Sequence, residues 1–282
     1  MSELHMEVTG AGGDVLLLHG WGLNLRVWDA VVAQLSNRFR LITLDLPGHG
    51  RSPWPARGFT PAEQAWLIHQ QVASLSNRYA VIGWSLGGQL ALDLAAATPA
   101  QIERLVLVAS TAKFTAAADW PHGTAPQAVA DLAARLRADH RRTVSDYLDL
   151  QIRNGPAAGA QREALRAAVL QHGQAQPAAL EADLRMLAAS DLRHTLAGIH
   201  IPALVIAGQY DRIISPAASR ELVHGLPNAR YVEMARAAHA PFISHPAEFA
   251  SRISAFLRAP VRRTKKRRRS PDRAHANGKS RK

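Results

Sequence analysis

No cysteine occurs among the 282 residues of the chain. A disulfide framework, a thiolate nucleophile and a cysteine-based zinc site are therefore excluded. No apolar run approaches the roughly 18–20 residues that are needed to span a bilayer, and residues 1–13, which include Glu3 and Glu7, contain no apolar core of a signal peptide. We therefore expect a cytoplasmic protein without a membrane segment, and separately we expect a monomer. The hydrophobic content of 47% is sufficient for one sizeable core.

The net charge of +12 is concentrated at one end of the chain. Residues 260–282 carry 11 of the 34 lysines and arginines but only one of the 22 acidic residues. The other 259 residues therefore carry 23 basic and 21 acidic side chains, so the body of the protein is nearly neutral. A block of like charge without apolar periodicity predicts a disordered tail.

Short apolar runs alternate with helical patterns, which predicts a mostly parallel sheet covered by helices on both faces. The alternation stops once, at residues 112–190, where Ala, Arg and Gln are frequent and no strand is indicated. We predict a helical lid inserted there, with helices near 125–137, 141–153 and 161–171. The predicted organisation is a core in two parts, 1–111 and 191–259, the lid at 112–190 and the tail at 260–282. Predicted strands cover residues 14–19, 40–46, 79–84, 102–109, 203–208 and 230–234, and further helices cover 61–76, 86–97 and 246–257.

The sequence GWSLG (residues 83–87) fits the pattern G-x-S-x-G. It directly follows a predicted apolar strand and opens a predicted helix, which is the context that a nucleophilic serine requires. Ser85 would sit on a strained turn, where the flanking glycines relieve crowding and the hydroxyl is exposed. The alternative is a glycine-serine loop that only caps the helix.

A serine hydroxyl needs a base, and the base needs an orienting acid. Asp211 follows the predicted strand at 203–208, and His239 lies in the loop before the last helix. The order Ser, Asp, His is that of the α/β-hydrolase fold, which we therefore predict. Each residue alone could be a cap or a solvated loop residue, but coincidence is a poor explanation of all three.

Acyl transfer also needs hydrogen-bond donors for the developing oxyanion. We assign this role to the backbone N–H groups of Leu86 and Trp21. His19 is interpreted as structural support for the loop of Trp21, and His49 as a turn residue. The remaining histidines show no metal-ligand spacing, so we expect neither a metal nor an organic cofactor.

Four motifs resemble one family, the pimeloyl-[acyl-carrier protein] methyl ester esterases of biotin synthesis. The resemblance covers roughly residues 4–258, and the last motif is the longest and most specific. The motifs are LLHGWGLN (residues 17–24), DLPGHGRS (45–52), GWSLGG (83–88) and AAHAPFISHPAEF (237–249). The resemblance implies an esterase that removes a methyl group from a pimeloyl chain on acyl carrier protein, without a cofactor.

The resemblance also implies roles for particular residues. Ser85, Asp211 and His239 would form the triad, and Trp21 and Leu86 would contact the ester. The predicted lid stretch that lines the substrate is Tyr147, Leu148, Asp149, Leu150 and Gln151, with tyrosine where the family has phenylalanine. The predicted carrier-docking residues are Arg141, Arg142, Arg153, Arg162 and Arg166, of which only Arg142 keeps a family position, and any of which could instead belong to a solvated helix face.

Two other functions stay open. A broad carboxylesterase or a C–C bond hydrolase would use the same three residues, because specificity depends on the lid and the pocket. A nucleic-acid or anionic-surface binding module would use the basic run at 265–269, which is suited to weak, salt-sensitive phosphate contacts. It would not explain the Ser, Asp and His set.

Overall fold

A parallel sheet forms the centre of the part of the chain that the computed structural model describes, residues 3–152 and 159–260. The strands are β1 (Met6–Thr9), β2 (Gly13–Leu18), β3 (Phe39–Leu44), β4 (Tyr79–Trp84), β5 (Ile102–Val108), β6 (Ala203–Gly208) and β7 (Ala229–Met234). Their spatial order is β1-β3-β2-β4-β5-β6-β7. Only β1 runs antiparallel to its neighbour in this sheet.

Helices flank the sheet, and most of the parallel strands are joined through them. They are α1 (Asp29–Leu35), α2 (Pro61–Ala73), α3 (Leu86–Ala97), α4 (Pro126–Ala138), α5 (His140–Ile152), α6 (Gly159–His172), α7 (Pro177–Ala189), α8 (Pro216–Gly225), α9 (Pro241–Ser244) and α10 (Pro246–Arg258). Two 3₁₀ helices cover Leu25–Trp28 and Arg193–Gly198.

Both faces of the sheet are buried. Leu16 and Leu18 of β2 belong to one apolar cluster, and Val15 and Leu17 belong to the cluster on the opposite face. Every residue of the central strand β4 is buried. Because neither face meets water, these strands are continuous apolar runs rather than alternating ones. The predicted α/β-hydrolase fold is confirmed.

The edge strand β1 was not predicted. Its four residues are half-buried or exposed, and it pairs with β3 in the register Met6 opposite Leu44. An edge strand that packs only partly lacks the apolar run by which the central strands are recognised. Strand β1 places His5 and Glu7 beside the end of α6.

Helices α4 to α7 lie between β5 and β6, in the segment predicted as a lid. We call residues 112–190 the helical insertion. Three of its helices lie within a few residues of the predicted ranges, and α7 is an addition whose residues Leu180, Leu184 and Leu187 are buried. Its function as a lid remains a prediction.

Some predictions fall outside the described residues. These are the roles of Arg153 and of the basic tail beyond residue 260, and the same applies to the side chain of Arg162. Within the described ranges, no helix combines the length and the apolar character that crossing a membrane would require.

Candidate active site

Ser85 lies between the end of β4 and the start of α3, at φ 55° and ψ −114°. A non-glycine residue rarely adopts this backbone, so the turn stores strain. Both flanking positions require glycine because there is no room for a side chain. A Cβ on Gly83 would overlap the carbonyl oxygen of Gly87, and a Cβ on Gly87 would overlap the carbonyl oxygen of Leu18. The predicted strand–serine–helix turn is therefore present in the described structure.

Asp211 and His239 form a buried hydrogen-bonded pair. Asp211 follows β6, His239 follows β7, and His239 Nδ1 lies 2.8 Å from Asp211 Oδ2. The other carboxylate oxygen, Oδ1, accepts hydrogen bonds from the backbone N–H groups of Ile213 and Ile214. Because a carboxylate only accepts, the proton of the neutral imidazole is on Nδ1 and the lone pair is on Nε2. His239 Nε2 is buried and has no hydrogen-bond partner among the described residues.

Trp84, the residue before Ser85, connects the loop of His239 to the turn of Ser85 through a hydrogen bond. Its indole Nε1 donates to the carbonyl oxygen of His239 at 2.8 Å, and the two rings lie 5.5 Å apart. The loops after β6 and β7 also meet closely, since a Cβ on Gly208 would overlap the carbonyl oxygen of Ala238. Sequence reasoning missed the role of Trp84, because a tryptophan in an apolar strand carries no sign of a specific partner.

The loop of Trp21 lies against the serine. A Cβ on Gly20 would be 3.4 Å from the Cβ of Ser85. No hydrogen bond within the described part of the chain uses the backbone N–H of Trp21 or of Leu86. Leu86 is also the first residue of α3, where the helix dipole favours negative charge. The two amides are thus available for an oxyanion, which remains our prediction for them.

Two buried histidines connect this loop to the loop that follows β3. His19 Nδ1 donates to the carbonyl of Gly20, and its Nε2 accepts from the backbone N–H of Leu46 at 2.9 Å. In the reverse direction, His49 Nε2 accepts from the backbone N–H of Gly22 at 3.1 Å. Both rings must be neutral to accept at Nε2. The hydrogen bonds of His19 support the loop of Trp21, which is the structural role predicted for it. His49, predicted only as a turn residue, also supports this loop.

Burial keeps the second histidine neutral. It lowers the pKa of His49 to about 3, and the neighbouring His19 ring adds to the effect. Beneath His49 lies a fully buried carboxyl group, Asp183 of α7, whose Oδ2 is 3.8 Å from His49 Nε2. Gln64 donates to the other oxygen at 2.7 Å, and burial raises the pKa of Asp183 to about 7. Asp183, a residue of the helical insertion, therefore lies next to a histidine that holds the candidate oxyanion loop.

Replacing His49 with leucine is expected to lower kcat by about tenfold to 100-fold, less than the 10²–10³ expected when an oxyanion donor is lost outright. The Gly22 N–H would be left without an acceptor, which costs about 1–3 kcal/mol and releases the loop. Glutamine can supply an acceptor at the same place, so His49→Gln should recover part of kcat. Steady-state kinetics on an ester measures both. Equal kcat values for wild type and His49→Leu would contradict the bracing role.

The same residue should contribute to the pH dependence of stability. An unfolded histidine titrates near pH 6.5, whereas His49 in the folded protein has a pKa of about 3. Between these values only the unfolded chain binds the proton, so the contribution of His49 is present above pH 6.5 and is lost as the pH falls toward 3. Thermal denaturation from pH 7 to pH 4 should therefore show a shallower fall in Tm for His49→Gln than for wild type. Parallel curves would be the opposite result.

Part of helix α5 faces the candidate oxyanion loop. Tyr147 packs edge-on against Trp21 with the rings 5.1 Å apart, and burial together with the charge of Asp211 raises its pKa. Trp21 Nε1 also donates to the carbonyl of Leu180 in α7 at 3.0 Å. Leu148 and Gln151 are buried as well. The structure thus places Tyr147 beside Trp21, and its contact with the substrate remains a prediction.

The two other residues of the predicted substrate stretch lie on the outer surface of α5. Asp149 is exposed and forms an ion pair with Arg166 at 2.7 Å, and Leu150 is 46% exposed. Consecutive helical residues point in directions about 100° apart, so five in a row cannot all line one pocket. The predicted contact of Asp149 and Leu150 with the substrate stays a prediction. The outward direction of both side chains does not support it.

The predicted docking arginines that the structure describes lie on the outside of α5 and α6. Arg141 and Arg142 are exposed, and Arg142 pairs loosely with Asp146 at 3.9 Å. Arg166 is half-buried between Asp149 and Ser145. Arg141 and Arg166 line a small cavity of about 30 Å³ together with Gly22, the residue after Trp21.

A sheet with this strand order, with a strained serine after β4 and a hydrogen-bonded Asp–His pair after β6 and β7, defines an α/β hydrolase. The family model for the alpha/beta hydrolase fold matches residues 14–246. Among solved structures, an esterase from Exiguobacterium antarcticum is 20% identical with a TM-score of 0.84, covering 92% of this chain and 96% of its own. A hydrolase from Pseudomonas aeruginosa is 27% identical with a TM-score of 0.76, covering 91% and 94%.

The curated relatives are more specific. A pimeloyl-[acyl-carrier protein] methyl ester esterase from Nitrosomonas europaea is 39% identical over 89% of this chain and 98% of its own length. One with the same name from Edwardsiella ictaluri is 40% identical, over 91% and 98%. The chain therefore belongs to the family of pimeloyl-[acyl-carrier protein] methyl ester esterases.

Proposed function

We propose that this chain hydrolyses the methyl ester of pimeloyl-[acyl-carrier protein], giving methanol and the free carboxylate needed for biotin synthesis. The observation that carries the proposal is the buried Asp211–His239 pair beside the strained Ser85 turn, in a chain whose relatives carry this name. A serine nucleophile suits acyl transfer, whereas an aspartate at this position would suit alkyl-ester chemistry.

Ser85 attacks the ester carbonyl while His239 Nε2 takes the hydroxyl proton. Asp211 holds the imidazole with its proton on Nδ1 and stabilises the imidazolium that forms. The amides of Trp21 and Leu86 bind the negative oxygen of the tetrahedral intermediate. His239 then gives its proton to the departing methoxide, which leaves as methanol. Water, deprotonated by His239, attacks the acyl-serine, and His239 returns the proton to Ser85 Oγ as the bond between the acyl carbon and Oγ breaks. The carboxylic acid that is released then ionises.

Tyr147 and Leu148 would contact the acyl chain near the ester. Tyr147 lies against Trp21, the residue assigned to the oxyanion, and Leu148 lines the same small cavity as Gly22. That cavity holds about 30 Å³, roughly the volume of one water molecule. That cavity is therefore too small to hold the methylene chain.

The outer arginines would meet the acidic carrier protein. Reversing the charge in Arg141→Glu is expected to raise KM for the carrier-bound ester about two- to fivefold, the effect of one exposed charge pair. The kcat value should be unchanged, and added salt should shrink the difference. The matched control is Arg78→Glu, an exposed arginine next to the first residue of β4, at the opposite end of that strand from Ser85. Equal KM values for the two variants would argue against docking at this surface.

The proposed function is tested by hydrolysis of pimeloyl methyl ester on acyl carrier protein, beside a short p-nitrophenyl ester. A strong preference in kcat/KM for the carrier-bound ester is the expected result. Comparable rates on both substrates would leave a broad carboxylesterase as the function, and cleavage of a carbon–carbon substrate instead of either would indicate a C–C hydrolase.

A further inference from the structure

Three metal-binding side chains that the proposed mechanism does not use meet where α6 ends beside β1. His5 precedes β1, Glu7 is in β1, and His172 is the last residue of α6. One potential ligand atom from each lies within 4.8 Å of the others. His5 Nε2 is 3.6 Å from Glu7 Oε1, and the two imidazole rings are 5.2 Å apart.

One of these ligand atoms is buried and unpaired without an ion. His5 Nε2 is buried and has no hydrogen-bond partner among the described residues. Arg26 engages Oε2 of Glu7, whereas Oε1 is the oxygen closest to His5.

The third side chain has the outer contact that metal-binding histidines generally have. His172 Nε2 lies 2.8 Å from Oδ2 of Asp45, which is fully buried and is further held by the backbone N–H groups of Leu25 and Arg51. Because the carboxylate only accepts, Nε2 carries the proton, and the lone pair of the neutral ring is on Nδ1. A carboxylate on the distal nitrogen fixes the ring and increases its basicity as a ligand.

We infer that His5, Glu7 and His172 bind one divalent metal ion of the zinc class. Two imidazoles and a carboxylate suit Zn²⁺, with water as the fourth ligand. In a tetrahedral site with bonds of about 2.0–2.1 Å the ligand atoms are about 3.4 Å apart. The 3.6 Å between His5 and Glu7 already fits that spacing, and the ligand atom of His172 has to approach by about 1.4 Å at most.

The charge around the cluster limits the expected affinity. Glu7 and Asp45 are opposed by Arg26, which pairs with Glu7, and by Arg51, whose Nε donates to the carbonyl of His172. The site therefore attracts a cation less strongly than an all-anionic site would, and we expect micromolar rather than nanomolar binding. A bound ion would join the end of α6 to the edge of the sheet and stabilise the folded state.

The test is a titration of untagged, chelator-treated full-length protein with Zn²⁺, followed by calorimetry and by thermal denaturation. Co²⁺ is the spectroscopic probe, because its visible absorption reports the coordination geometry. The variants are His5→Gln and Glu7→Gln. The matched control is His224→Gln, which removes an exposed histidine that faces Glu221 at 3.3 Å with no third ligand among the described residues.

The expected result is one Zn²⁺ per chain, a rise in Tm with added Zn²⁺, and a Co²⁺ spectrum typical of four ligands. His5→Gln and Glu7→Gln should each lower the affinity by at least about tenfold, the smallest loss seen even for outer contacts. His224→Gln should leave it unchanged. Absence of stoichiometric binding, or binding that persists in both site variants, would overturn the inference. None of these readouts depends on esterase activity.

Discussion

Ser85→Ala is expected to lower kcat on the methyl ester by about 10⁴- to 10⁶-fold, the range seen when a triad nucleophile is removed. The hydroxyl supplies the only bond to the acyl group in the proposed first step, and nothing else at the turn can form it. Substrate binding should change little, because the backbone amides of Trp21 and Leu86 are untouched. Single-turnover kinetics on the carrier-bound ester, with direct measurement of methanol, measures this decrease in rate.

Ser85→Gly is a matched control for the fold of the turn. Alanine keeps the strain at φ 55°, whereas glycine relieves it. The relief of about 1–3 kcal/mol is offset by the extra freedom of glycine in the unfolded chain, about 0.4–1 kcal/mol. Ser85→Gly should therefore be as inactive as Ser85→Ala and should unfold at a higher temperature. Substantial activity in either variant would disprove the assignment of the nucleophile.

Asp211→Asn is expected to lower kcat by about 10⁴-fold while the fold is kept. The reason follows from the hydrogen bonds of the carboxylate. Oδ1 accepts from the amides of Ile213 and Ile214, so the asparagine oxygen must take that position and its NH₂ group faces His239. The NH₂ group donates, so it needs the lone pair of the imidazole on Nδ1. The proton moves to Nε2, and the histidine can no longer accept the serine proton.

The tautomer change makes this prediction specific. Nitrogen NMR of labelled histidine should report the proton of His239 on Nδ1 in wild type and on Nε2 in Asp211→Asn. Asp211→Ala is the comparison, because it removes the orienting group without donating a hydrogen bond to the ring. If Asp211→Asn kept the wild-type tautomer and rate, Asp211 would not be the orienting acid.

The candidate catalytic residues could be located from the sequence because each follows a strand that is itself easy to recognise. Strand β4 is buried throughout, so its apolar run ends directly at Ser85. Strand β6 is equally buried and was predicted with the bounds that the structure has. In a parallel sheet the carboxyl ends of the strands share one edge, so residues distant in sequence are expected together.

The helical insertion could be predicted only in outline. A match to a family stretch gives five neighbouring residues one role, but α5 directs Tyr147 toward Trp21 and Asp149 toward Arg166. The register of a helix against its neighbours depends on packing that local sequence does not encode. The cluster of His5, Glu7 and His172 was missed for a related reason, since its members are separated by up to 167 residues and no spacing rule applies.

The contacts of Trp21 affect how the substrate specificity of this chain can change. Its indole is held by the carbonyl of Leu180, and Asp183, one helical turn further along α7, lies beneath His49. The segment that would select the acyl group therefore also supports the loop assigned to the transition state. Grafting the insertion of another esterase onto this core should change turnover and substrate choice together, unless the graft carries its own acceptor for the indole N–H.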